Sequence, residues 1–139
     1  MRLDLVSRAA AVQRSLDKFA GRAFDWQDTT CLHLARDVLV ELGHNPPVIP
    51  PLHSAAGAAR ALKRAGFASV ADIFDSLFLP DVIPAMMVVG DIALLPGEEG
   101  FDAVVICSGA ALIGWHGSDL SRPYEVQQAL GAVTRAWRT

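Results

Sequence analysis

The chain has 139 residues, 52% hydrophobic and 19% charged, a composition that fits a folded globular domain and excludes a disordered or solvating segment. That length holds one domain with a substantial core and leaves little room for a second, so residues 1–139 read as a single domain. The net charge of −3 argues against nucleic acid as a partner, because a phosphate-binding surface needs clustered Lys and Arg and the closest basic pair here is Lys63-Arg64.

Residues 3–20 have helical spacing. Leu5, Ala9, Val12, Leu16 and Phe19 make an apolar stripe, Arg8, Gln13, Arg14, Asp17 and Lys18 supply polar positions, and Gly21 is the stop. Residues 22–28 connect to a second helix. It has Thr29 or Thr30 as N-cap, buries Leu32, Ala35, Leu39 and Leu42, and ends at Gly43 ahead of Pro46, Pro47, Pro50 and Pro51. An Ala-rich helix is predicted over 54–65 with Gly66 as its stop, then a short helix over 70–78 capped by Ser69 and ended by Pro80.

The pattern changes near Val88. Val88 to Leu95 reads as a strand ending at Pro96-Gly97, Ala103 to Cys107 as a second and Ala111 to Trp115 as a third, with Ser108-Gly109 in the turn between the last two. Ser121-Arg122-Pro123 looks like the cap of a short helix running to Leu130. Val133 to Arg138 is the last predicted strand. Helices first and an antiparallel meander second make an α+β layout. No apolar stretch reaches membrane-spanning length, and Met1-Arg2-Leu3-Asp4 opens no signal-peptide core. The chain is therefore expected to be made in the cytosol, or to leave the cell inside a larger particle, with no membrane span.

Two cysteines, Cys31 and Cys107, cannot build a disulfide framework, and no Cys-x-x-Cys or His-x-x-x-His spacing points to zinc. No metal or cofactor is expected. Cys31 carries the most information. It heads the second helix, behind the aromatic and acidic lead-in Phe24-Asp25-Trp26-Gln27-Asp28. A thiol at a helix N-terminus meets unpaired backbone N–H groups and the positive end of the dipole, which favour the thiolate and lower its pKa unless burial or a nearby carboxylate cancels the effect. That is where a cysteine nucleophile belongs.

The order of a Cys-headed helix, a Gly-Asp strand and a hairpin resembles the NlpC-type cell-wall cysteine peptidases, whose fold is a compact relative of papain. The closer resemblance is to a short, phage-encoded branch found among tail genes. It covers nearly the whole chain: Phe24-x-Trp26 ahead of Cys31, Leu34-Ala35 to Gly43, Ala56 to Arg60 with Lys63 to Gly66, Gly90-Asp91-Ile92-Ala93-Leu94, and Arg135 to Arg138.

The chain also departs from that pattern. Thr30 stands where an acidic residue usually precedes the nucleophile, and Gln27 stands where a Gly follows the Trp. Asp102 falls where the family's base, a His, opens the strand after the Gly-Asp strand. An ionised Asp102 is a poor substitute, because its charge opposes a thiolate and it accepts a proton weakly at neutral pH. His116, at the end of the third strand where the family places its third polar residue, is the alternative base, since adjacent strands lie only ~5 Å apart. His33 points away from Cys31, His44 and His53 flank the Pro-rich loop and read as solvated, and Cys107 reads as core. Trp26, Trp115 and Trp137 either line a groove or fill the core.

The candidate catalytic set is therefore Cys31, His116 and Asp102. The resemblance implies a phage tail or tail-tip component with a cysteine-peptidase fold and impaired catalysis, located in the virion, assembled in the host cytoplasm and contacting other tail proteins. The rival expectation is a working peptidoglycan endopeptidase that uses Cys31 to open the cell wall during DNA delivery. A third is an amide- or thioester-processing enzyme of the same fold outside any phage.

Overall fold

The apolar periodicity of the first half forms four helices, α1 (Leu5–Phe19), α2 (Cys31–Glu41), α3 (Ala55–Arg64) and α4 (Val70–Ser76). The second half forms β1 (Ile92–Glu98), β2 (Phe101–Cys107), β3 (Leu112–Gly114), β4 (Tyr124–Glu125) and β5 (Arg135–Trp137), with 3₁₀ turns at Pro84–Met86 and Ala129–Ala132. This computed structural model describes residues 3–98, 100–126 and 129–139, without the side chain of Glu98. The strands form an antiparallel sheet in the order β4-β3-β2-β1-β5. The protein is thus α+β, with its helices ahead of an antiparallel sheet.

A larger core lies between the helices and one sheet face, where Val38 and Leu39 of α2 join Ile92, Leu94, Val104 and Ile106. A smaller cluster on the opposite face contains Ala93, Leu95, Val105 and Ala136. The alternation along β1 and β2 is the two-residue period of a strand whose two faces are both covered. Among the described residues no helix is long and apolar enough to cross a membrane.

Helix boundaries follow their local chemistry. Asp4 caps α1 by accepting from the Ser7 N–H at 2.7 Å, and Ser54 caps α3 by accepting from the Gly57 N–H at 3.0 Å. Ser69 makes no such bond ahead of α4; Asp72 instead accepts from the Ala68 N–H at 2.8 Å. The buried stripe of α1 is rotated from the expected one. Arg8, Ala11, Val12, Ser15 and Phe19 are buried, while Leu5 is exposed. Arg8 and Ser15 can be inside because each has partners: Arg8 reaches Asp91, and the Ser15 hydroxyl donates to Asp37 at 2.6 Å.

Three boundaries in the second half differ from expectation. Val88 to Gly90 form a turn, and β1 begins at Ile92. The strand then continues through Pro96-Gly97, because the register slips by one residue between Leu95↔Ala103 and Glu98↔Phe101. A bulge of this kind accommodates a proline that cannot donate to the ladder. Gly97 is required there, since a Cβ at that position would run into the Phe101 carbonyl oxygen. The helix expected over 121–130 is instead β4 followed by a 3₁₀ turn; Gln127 and Gln128 within it lie outside the described residues, as do Met1 and Arg2 of the N-terminus.

Candidate functional site: the Cys31 cleft

Thr30 is the N-cap of α2, and Cys31 is its first residue. The Thr30 hydroxyl oxygen accepts from the His33 N–H at 3.3 Å, and His33 Nδ1 accepts from the Thr30 N–H at 3.2 Å. This reciprocal pair is a capping box in which an imidazole takes the place of the usual Glu or Gln. It engages His33 away from Cys31, as its position predicts. Burial holds His33 below its ordinary pKa, consistent with Nδ1 accepting a proton donor.

The lead-in is shaped by a small closed loop. Asp25 and Thr29 exchange backbone bonds at 3.0 and 2.9 Å, and the Thr29 hydroxyl accepts from Arg22 at 2.7 Å. The loop presents Trp26 edge-on to Phe24, with centroids 4.9 Å apart, and to Phe101 at 5.6 Å. Phe24 in turn meets Trp115 at 6.1 Å, and the Trp115 indole N–H donates to the Arg22 carbonyl at 3.0 Å. Edge-to-face contacts of this kind fix ring positions as well as burying area.

These rings border a cleft of about 620 Å³ that also contains Cys31 and His116. Phe24, Trp26, Phe101 and Trp115 line it together with Pro96 and Gly97 of the bulge. The structure therefore brings two of the three candidate catalytic residues to one cleft. Asp102 is not in its lining; it lies on β2 on the same side as Val104 and Ile106, and among the described residues its side chain makes no hydrogen bond or ion pair. His116 stands two residues past the end of β3 and is half-buried, and among the described residues no hydrogen bond joins it to Cys31.

Cys31 itself is only 4% exposed. Burial pushes its thiol up to about 11, against the opposing pull of backbone hydrogen bonds at Val104, Leu32 and Cys31. Burial, the stated exception to a lowering by the helix terminus, applies here: desolvation of the charged form outweighs the oriented amides. At neutral pH the cleft holds a neutral thiol, and among the described residues no Asp, Glu, Lys or Arg borders it.

The other candidates divide clearly. Cys107 is buried in the small cluster on the far sheet face, where burial also raises its pKa. His53 is exposed as expected. His44 is not simply solvated: it is half-buried, with Nε2 2.7 Å from the Thr139 main-chain oxygen. Trp26 and Trp115 line the cleft, whereas Trp137 is fully buried in the core. Among the described residues no group of three or more His, Cys, Asp or Glu side chains is placed to hold a metal ion.

Sequence reasoning missed two things. Phe101 lines the cleft and opens β2, a strand the sequence pattern starts only at Ala103; an aromatic residue directly ahead of an apolar run is the signal that marks it. The Gly90-Asp91 pair was read as a strand motif, yet it builds a buried charged node. Asp91 accepts from Arg8 at 3.2 Å, Arg138 at 2.8 Å and the backbone N–H groups of Val88 and Thr139 at 2.9 and 3.1 Å. Gly90 has φ +94°, and a Cβ there would sit 3.0 Å from the Arg8 guanidinium and 3.1 Å from Leu42. The motif is therefore structural, joining α1, the start of β1 and the last residues of the chain.

No curated protein and no solved structure matches this chain. A family model described as "Domain of unknown function (DUF6950)" matches residues 2–139, and the protein belongs to that family.

Proposed function

We propose that the protein is a tail or tail-tip component of a phage or phage-derived particle, built on an NlpC-like, papain-like fold whose hydrolytic chemistry is impaired. The observation that carries the impaired reading is the Cys31 thiol, buried and pushed up to about 11, with no imidazole hydrogen-bonded to it among the described residues. Such a group is neutral at physiological pH, and a neutral thiol is a weak nucleophile. Asp102, at the position the resemblance gives to the base, does not border the cleft. The fold reading is supported by a Cys-headed helix packed on an antiparallel sheet that opens with the Gly-Asp strand.

Packing among other tail proteins is supported by apolar side chains left in solvent. Phe78 is 92% exposed and adopts φ +57°, a conformation that L residues avoid, and Ile83 and Met86 are exposed nearby in sequence. In this reading the chain is assembled in the host cytoplasm and resides in the virion. Mass spectrometry of purified particles tests that placement; their lacking this chain would refute it.

A second reading, an active peptidoglycan endopeptidase with Cys31 as nucleophile and His116 as displaced base, is favoured by one observation: both residues border the same cleft. Digestion of purified peptidoglycan separates the two. The natural chain is expected to release no peptides, and release restored only in Asp102→His would mean that the scaffold is intact and the base is missing. Robust cleavage by the natural chain, lost in both Cys31→Ala and His116→Ala, would establish the second reading instead.

A further inference from the structure

A second cavity, of about 110 Å³, lies between α2, α3, α4 and the Pro-rich segment 46–52, with Phe101 as the wall it shares with the Cys31 cleft. Its floor is made by Leu39, Leu52, Ala58, Leu62 and Phe74, all buried. Its rim reaches solvent, where Val48 is 81% exposed. Among the described residues, every one bordering it is apolar except Arg36.

Arg36 is half-buried on the cavity-facing side of α2. Its Nε donates to the Pro47 carbonyl at 3.0 Å, which ties the Pro-rich segment to the helix. That bond uses one of five guanidinium donors. Among the described residues Arg36, like Arg60, Arg64 and Arg122, has no carboxylate within ion-pair distance, and of these four only Arg36 borders this cavity. A permanent cation with free donors, at the edge of an otherwise wholly apolar space, is complementary to an anion that carries an apolar tail.

We propose that this cavity binds a short, unbranched aliphatic carboxylate, its chain lying over Leu39 and Leu62 and its carboxylate on the Arg36 guanidinium. Size sets the chain length. Apolar cavities of roughly 150 Å³ hold a benzene-sized ligand, so this smaller one suits an alkyl tail of about four carbons, with the carboxylate at the rim. The rim explains why the ligand is a free acid and not the end of a peptide. Pro46, Pro47 and Pro50 border the cavity and offer no N–H, so a peptide backbone would find few donors there.

The test is titration of the full chain with pentanoate, 1-pentanol and acetate, followed by methyl NMR at Leu39, Leu62 and Ile73. Pentanoate is expected to shift those methyls and to bind on the order of tenfold more tightly than 1-pentanol, and acetate is expected not to bind measurably. Arg36→Gln should abolish the preference for acid over alcohol, and Arg36→Lys should keep part of it. Added salt should weaken pentanoate and not 1-pentanol, a readout in the natural chain that does not depend on a variant folding. Equal affinity for acid and alcohol, an acid preference that survives Arg36→Gln or does not respond to salt, or methyl shifts absent from this cavity would each overturn the proposal.

Discussion

Asp91 and Cys31 each stand at the threshold of an element, one just ahead of β1 and the other at the first position of α2, and both are buried. Their surroundings differ completely. Asp91 is 0% exposed and is met by two guanidinium groups and two backbone N–H groups, so a charge is sustained in the interior. Cys31 lies among aromatic rings, with backbone amides as its polar company, and its thiol stays protonated to about 11. The contrast shows where this chain places its buried electrostatics: in holding α1, β1 and the C-terminal segment together, and not in activating a nucleophile. Oriented amides alone do not offset the desolvation of an anion, whereas amides together with two cations do.

Four outcomes would break or sharpen this contrast. The largest effect is expected for Asp91→Ala, which leaves Arg8 and Arg138 facing an emptied buried site; loss of one partner of such a network costs about 3–5 kcal/mol. Urea denaturation measures it, and a change near zero would remove the node from the argument. The next concerns pH. Below about 9 both folded and unfolded Cys31 keep the proton, and the full stability is present. Between 9 and 11 only the unfolded chain loses it, so stability falls as pH rises, by roughly 2–3 kcal/mol, and this contribution ends above about 11. Cys31→Ala should lack that component of the alkaline loss, and an identical pH profile would mean that the folded thiol is not shifted.

Gly90→Ala should cost about 1–3 kcal/mol, because it forces a side chain into a positive φ and against the Arg8 guanidinium and Leu42. A neutral result by thermal unfolding would show that the turn can relax. The smallest effect is expected at the α1–α2 surface, where Lys18 meets Asp37 at 3.1 Å and Glu41 at 3.0 Å in a solvent-exposed cluster. Lys18→Met should leave the denaturation midpoint almost unchanged, and any shift should vanish in high salt.

Much of the fold was legible in the sequence because its signals are local. Thr30 as a cap, and Gly43 and Gly66 with positive φ just past their helices, fix the bounds of α2 and the end of α3 within a residue or two. The errors came where tertiary contacts override local rules. Arg8 has the chemistry of a surface residue but is drawn inside by Asp91, 83 positions away. Pro96-Gly97 reads as a stop but sits in a bulge whose need is set by β2. Of the site, the placement of Cys31 at the head of α2 followed from the pattern. The cleft it shares with His116 and its protonation did not, because spacing reveals a helix terminus but neither which strand end lies beside it nor how deeply it is buried.

The most direct test of the central claim is the reactivity of Cys31 in the folded protein. In a Cys107→Ala background, alkylation by iodoacetamide followed against pH reports a single thiol. The structure predicts that at pH 7.5 folded Cys31 reacts on the order of 100-fold more slowly than the same residue in urea, with an inflection near 11. A folded thiol that reacts faster than the unfolded one, with an inflection below about 8.5, would contradict this account and identify Cys31 as an activated nucleophile.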